Sequence, residues 1–151
     1  MQTITSPTQM SLLQGKEQVL NAIENESYRY ERYKVPFCLA AINTENTKHF
    51  DCIKRYIRKT DILIPINDSY ACVALASTDI ADAIKMGENF IRDHATLGEN
   101  NRVFIGVTSV KHTDNNYDIV SRAFYTLDKA REQNISAVED DNILENMKAS
   151  I

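Results

Sequence analysis

Glycine is scarce in this chain, with four in 151 residues, and none of the patterns GxxxxGK[ST], GxGxxG or GxSxG occurs. A phosphate-cradling loop or a nucleophile elbow of those kinds is thereby excluded. Basic blocks and Lys/Arg stripes are missing too, and the net charge is −4. That excludes the phosphate neutralisation on which non-specific nucleic-acid binding depends. No apolar run approaches the ~20 residues of a membrane-spanning helix. The stretch Met1 to Leu13 lacks the basic start and apolar centre of a signal peptide. Only three cysteines occur, Cys38, Cys52 and Cys72, far apart and without CxxC spacing. This pattern predicts buried, reduced thiols in a cytoplasmic protein. His49, His94 and His112 are scattered, none with a second ligand at metal spacing. Each is read as solvated or locally bonded, and neither metal nor cofactor is expected.

What is present suffices for one globular domain. Hydrophobic residues make up 43% and charged residues 25%, ordinary values for a chain long enough to bury a single sizeable core. The organising stretch is Asp61 to Ser77. Two apolar runs, Ile62 to Ile66 and Tyr70 to Ala76, flank the polar break Asn67-Asp68-Ser69. Asn and Asp tolerate the left-handed backbone of a tight turn, so the stretch predicts a β-hairpin. Neither run alternates cleanly, which predicts helices covering at least one face. Pro65 lacks a ladder donor and belongs at an edge or a bulge.

Around the hairpin, residues 1–10 are read as a flexible N-terminus, 11–140 as one domain and 141–151 as a tail. A helix is predicted from Ser11, with Leu12, Leu13, Val19, Leu20 and Ile23 inward, and Pro36 enforces extended chain beyond it. The tyrosines from Tyr28 to Tyr33 are read as a helix flank against the core or a partner, with a ligand platform as the alternative. Phe37 to Ile42 predicts a buried strand, and Phe50, Ile53 and Ile57 a helix over 47–59. After the hairpin, Ile80, Ile84, Gly87 and Ile91 form one helical stripe. Arg102 to Val110 is a strand, and Asn115 or Asn116 caps a helix with Val120, Ala123, Phe124, Leu127 and Ala130 inward. Ile135 to Val138 is a candidate edge strand. The order predicts an α+β fold: a ferredoxin-like βαββαβ antiparallel sheet, helices on one face, flanked by an N-terminal helix, an extra C-terminal helix and the edge strand. The RNA-recognition motif shares that topology, but its stacking aromatics are absent from the apolar Val103-Phe-Ile-Gly-Val107.

Four strings, in order, give the chain a family likeness: Ser11-Leu-Leu-Gln-Gly-Lys16, Arg29-Tyr-Glu-Arg-Tyr-Lys-Val-Pro-Phe37, Arg58-Lys-Thr-Asp61 and Arg122-Ala-Phe-Tyr-Thr-Leu-Asp-Lys-Ala-Arg131. Together with the order of elements they resemble the GGDEF domain of diguanylate cyclases, over residues 8–138. Members join two GTP molecules into cyclic di-GMP with two Mg²⁺ held by acidic residues, since a hard dication wants charged oxygen ligands. By that resemblance, the metal-binding Asp at the end of the first strand corresponds to Asn43. The signature turn corresponds to Asn67-Asp68-Ser69-Tyr70-Ala71, without its glycines and with Ser69 and Tyr70 at the acidic positions. Asp68 and Glu45 are nearby carboxylates off the family's metal positions, and the guanine-binding segment between Asn43 and Arg58 is heavily shortened.

The resemblance therefore implies a truncated, catalytically inactive member, a regulatory or protein-interaction module of bacterial signalling. A homodimer through the N-terminal helix and the tyrosine cluster, or another protein partner, is expected. The alternative is a cyclic di-GMP receptor using Arg58 and Asp61, which keep the RxxD spacing of the family's product site; there a planar Arg fork grips guanine or phosphate. A third possibility is an active nucleotide cyclase. Without the resemblance, Arg58 is a cation at a helix C-terminus and Asp61 the start of a turn.

Overall fold

The computed structural model describes residues 6–94, 101–112, 114–133 and 136–140. Ser6 opens the first helix: its hydroxyl accepts from the Gln9 N–H, and Pro7 takes the first helical position, where no N–H is needed. Helix α1 (Pro7–Tyr33) thus begins at Pro7 rather than at Ser11, and residues 7–10 of the expected flexible N-terminus are helical. Residues 1–5 of that segment, the expected tail 141–151 and Ile135 lie outside the described residues. Lys34 ends α1 in the left-handed conformation (φ 58°), its N–H on the Tyr30 carbonyl.

The chain continues through β1 (Phe37–Thr44), α2 (Lys48–Ile53), β2 (Ile62–Pro65), β3 (Tyr70–Ala76), α3 (Ile80–His94), β4 (Val103–Ser109), α4 (Asn116–Arg131) and β5 (Ala137–Asp140). The sheet order is β2-β3-β1-β4-β5. Its first four strands pair antiparallel, the ferredoxin-like arrangement, whereas β5 joins β4 in parallel and makes the sheet mixed. Pro65 sits on the edge strand β2, as its missing donor requires. Helix α2 stops at Ile53, short of the expected 47–59 span, although Phe50 and Ile57 still pack on the core.

The expectation of helices on one face is overturned. Leu39, Ala41, Cys72 and Ala74 pack under α1 and α4, through Val19, Ile23, Val120 and Phe124. Cys38, Ala40, Ile42 and Val73 face the other way, toward Ile53, Ala83 and Phe90 of α2 and α3. All eight residues of β1 are buried, which is why its sequence is apolar from Phe37 to Ile42 rather than alternating, with the polar Asn43 and Thr44 at its end. Each fully buried Ile, Leu or Phe contributes roughly 1.5–3 kcal/mol of transfer free energy. On α3 the buried line is Ala83, Gly87 and Phe90, with Ile80 and Ile91 at its margin, so the stripe expected through Ile84 is displaced by part of a turn. On α4 the expected inner face is the observed one, and Asn115 caps the helix in a reciprocal box with Asp118.

Candidate functional site

The hairpin turn closes without left-handed backbone: among the described non-glycine residues only Lys34 and Ser77 have positive φ. The Asn67 side chain closes it instead, its carbonyl accepting from the N–H groups of Ser69 and Tyr70, both at 2.9 Å. Its amide donates to Ser11 Oγ (3.1 Å) and Gln14 Oε1 (3.2 Å), fastening the turn to α1. The approach is tight there, since a Cβ on Gly15 would fall 2.5 Å from the Ile66 side chain.

Asn43 and Tyr70 are register partners on β1 and β3. The Asn43 amide donates to the Ser69 carbonyl at 3.1 Å, which also accepts the Thr44 N–H at 2.9 Å. Tyr70 is buried, and its hydroxyl lies 3.1 Å from Thr8 Oγ1, which accepts from Arg131 Nη1 at 2.6 Å. Asp68 is exposed at the tip. Glu45 is held by Arg102, with Nε donating at 2.7 Å and Nη2 at 3.1 Å, and this pairing draws its carboxyl below the usual range. Asn43, Ser69 and Tyr70 do not fit a Mg²⁺ pair: an amide spent on a carbonyl, a hydroxyl and a buried phenol offer no charged oxygen, and the Glu45 carboxylate is taken up by Arg102. No group of three or more His, Cys, Asp or Glu converges as a metal site among the described residues.

Beside the same strand end, His49 is 5% exposed. Its Nδ1 lies 2.6 Å from Thr44 Oγ1 and its ring meets Phe90 edge-on at 5.9 Å. Burial pushes its imidazole down from the ordinary value. This is the locally bonded histidine that the sequence predicts.

Arg58 and Asp61 come together in the turn after α2, with Arg58 Nη2 3.6 Å from Asp61 Oδ1. Both Asp61 oxygens serve the backbone: Oδ2 accepts the Arg58 N–H at 2.8 Å and Oδ1 the Ala76 N–H at 2.9 Å. The Asp61 side chain is only 2% exposed, against 57% for Arg58. Arg58 Nη2 donates to the Ala76 carbonyl and, at 2.6 Å, to Thr78 Oγ1. A depression of about 260 Å³, lined by both residues with Tyr56, Asp82 and Met86, opens beside them. The Thr8–Tyr70–Arg131 contact is not visible in the sequence, because its members are 62 and 123 positions apart and share no pattern. Cys38, Cys52 and Cys72 form no disulfide; Cys38 and Cys72 are buried and Cys52, expected buried, only partly so, while Cys38 Sγ donates to the Thr78 carbonyl at 3.3 Å and burial pushes the Cys72 thiol far up.

No protein-family model and no curated protein sequence matches the chain. Solved structures do. The active GGEEF domain of a diguanylate cyclase from Vibrio cholerae superposes with a TM-score of 0.71 at 17% identity, over 82% of this chain and 94% of that one. The GGDEF domain of DgcB from Caulobacter crescentus, solved with c-di-GMP, gives 0.68 at 11% identity, over 81% and 87%. The diguanylate cyclase SiaD from Pseudomonas aeruginosa, solved with its activator SiaC, gives 0.66 at 16%, over 91% and 62%. The chain has the fold of the GGDEF domains of diguanylate cyclases.

Proposed function

We propose that this domain is a catalytically inactive GGDEF-like module that acts through a protein partner, a second copy of itself included, in bacterial cytoplasmic signalling. The observation that carries this reading is the Asn43 amide on the Ser69 carbonyl. Where the resemblance calls for a carboxylate aimed at metal, this chain has a neutral donor that closes the turn onto β1. Tyr70, at the second acidic position, is turned into the core. The SiaD–SiaC complex lends support to a partner-directed role for this fold. The test is turnover: with GTP and Mg²⁺ or Mn²⁺, the purified domain should yield no cyclic di-GMP. Metal-dependent product would overturn the reading.

A second reading, a cyclic di-GMP receptor, is favoured by one observation: the half-exposed Arg58 at the rim of the 260 Å³ depression. In it Arg58 supplies a charge-assisted, planar contact worth about 1.5–3 kcal/mol, so Arg58→Ala weakens affinity about 10- to 150-fold. Asp61 enters this site only by giving up its backbone bonds. Titration calorimetry on the wild type and Arg58→Ala decides it, and absence of heat with tens of micromolar ligand removes the receptor.

A further inference from the structure

The apolar side of α1 is covered by the chain's own sheet through Leu12, Val19 and Ile23; Met10 and Leu13, the latter expected inward, are exposed near its start, and its second half has no exposed aliphatic stripe to drive pairing. The opposite side of the helix carries a different signal. Asn21, Glu24, Asn25, Tyr28, Glu31 and Arg32 are all exposed along its second half. Positions four apart share a helix face, which puts Glu24, Tyr28 and Arg32 on one stripe with Tyr28 midway. The Arg32 guanidinium lies over the Tyr28 ring at 6.0 Å and over the Tyr33 ring at 5.9 Å, so the cation is held against the stripe rather than trailing in solvent. Tyr28 is 55% and Tyr33 64% exposed. Exposed tyrosines with an arginine between them are the composition enriched at the centres of protein interfaces.

The charges on this stripe are self-complementary in one orientation. Laid antiparallel on a second copy about Tyr28, Glu24 falls opposite the other copy's position 32, an arginine, and Asn25 opposite position 31, a glutamate. Each contact occurs twice, as a two-fold axis demands. Laid parallel and in register, the same stripe sets glutamate on glutamate and arginine on arginine, which costs rather than contributes. A cleft of about 580 Å³ runs beside the stripe, walled by Glu24, Tyr28 and Glu31 on one side and by His112 and Asn116 on the other.

We infer that the outer face of α1 is a self-association surface, on which two copies pair antiparallel about Tyr28 with reciprocal Glu24–Arg32 contacts. This deepens, and rests on, the reading of the domain as an interaction module. Exposed ion pairs contribute little each, so the association is weak, salt-sensitive and dependent on both pairs together.

Charge reversal tests it on the whole chain. Light scattering or sedimentation should show the wild type associating at high micromolar concentration in low salt. Glu24→Arg and Arg32→Glu, each placing like charges in both symmetry-related contacts, should each weaken self-association by ~10-fold or more. In a mixture of the two variants, one chain carries arginine at both positions of the stripe and the other carries glutamate at both. Opposite charges then meet in both contacts at once, and a one-to-one heterodimer should be recovered. Circular dichroism checks that the variants keep the wild-type fold. A monomeric wild type, a single variant that associates as strongly as the wild type, or a mixture that stays monomeric overturns the proposal. Each of those outcomes leaves the turnover result untouched, so failure here and failure of the inactive-module reading are separate events.

Discussion

The phenol oxygen of Tyr70 lies 3.1 Å from the Thr8 hydroxyl, across 62 residues of sequence. Thr8 also accepts from Arg131, so one buried hydroxyl joins the start of α1, the first residue of β3 and the last turn of α4. A position that the family resemblance assigns to an acidic residue is used here as a structural tie.

Removing the phenol oxygen should therefore cost stability. Tyr70→Phe loses one buried hydrogen bond, about 0.5–1.5 kcal/mol, while Arg131 still satisfies Thr8. For a domain of this size a loss of about 1 kcal/mol lowers the melting temperature by roughly 2–4 °C. Tyr70→Glu, which restores an acid, should destabilise more, because it buries a charge beneath the sheet. Urea titrations of the three proteins test the order; a Tyr70→Glu variant as stable as the wild type would show that the position is open to solvent.

Asn43→Asp should neither create activity nor be silent. The amide now donates to the Ser69 carbonyl, and a carboxylate there would set oxygen against oxygen. The Ser69 carbonyl keeps the Thr44 N–H, so the expected cost, about 1–3 kcal/mol, is that of a mostly buried carboxylate facing a carbonyl without a donor of its own. No cyclic di-GMP should form from GTP with Mg²⁺, since Ser69 and Tyr70 supply no further charged ligand. Product from this single variant would mean that the site lacked only one group.

Asp61 should matter more to folding than Arg58. Asp61→Ala strands the part-buried Ala76 N–H, at about 1–3 kcal/mol, and also removes the bond to the exposed Arg58 N–H, where water can take over. Arg58→Ala leaves the Ala76 carbonyl and Thr78 without the guanidinium, but that side chain is more than half exposed and water can replace it. Denaturant midpoints without ligand should fall in the order wild type, Arg58→Ala, Asp61→Ala. The reverse order would free Asp61 for the ligand role.

Much of the fold is legible in the sequence. The α4 face through Val120, Phe124 and Leu127 follows the helical period, and the apolar runs mark β1, β3 and β4 where they stand. The same runs also hold the signal for a sheet covered on both faces. Strands that bury Cys38 and Leu39 alike cannot alternate, and a one-sided ferredoxin-like sheet runs against that signal. The displaced α3 stripe has a related cause: the pattern takes in Gly87, but one built on isoleucines passes over Ala83, which buries because it is small, and Phe90. In the candidate site, the spacing of Arg58 and Asp61 is visible. Their bonds to Ala76 and Thr78 are not, because those depend on where β3 ends beside the turn after α2. The hairpin stands where its polar break places it, but for a partly different reason, since Asn67 closes it with its side chain and not with a left-handed backbone.

His49 gives the fold a pH dependence near neutrality. Burial holds its imidazole below the ordinary value of 6.5, and the Thr44 hydroxyl sits at Nδ1. The unfolded chain then binds more protons than the folded one at pH values just under 6.5, so stability rises with pH across that interval and is lost as pH falls through it. His49→Gln removes the titration while keeping a polar side chain near Thr44, and His94 and His112 remain in both proteins. Between pH 7.5 and pH 5.5, the measured unfolding free energy should fall more for the wild type than for His49→Gln. The same pH difference in both proteins would leave the His49–Thr44 contact without a share in the effect.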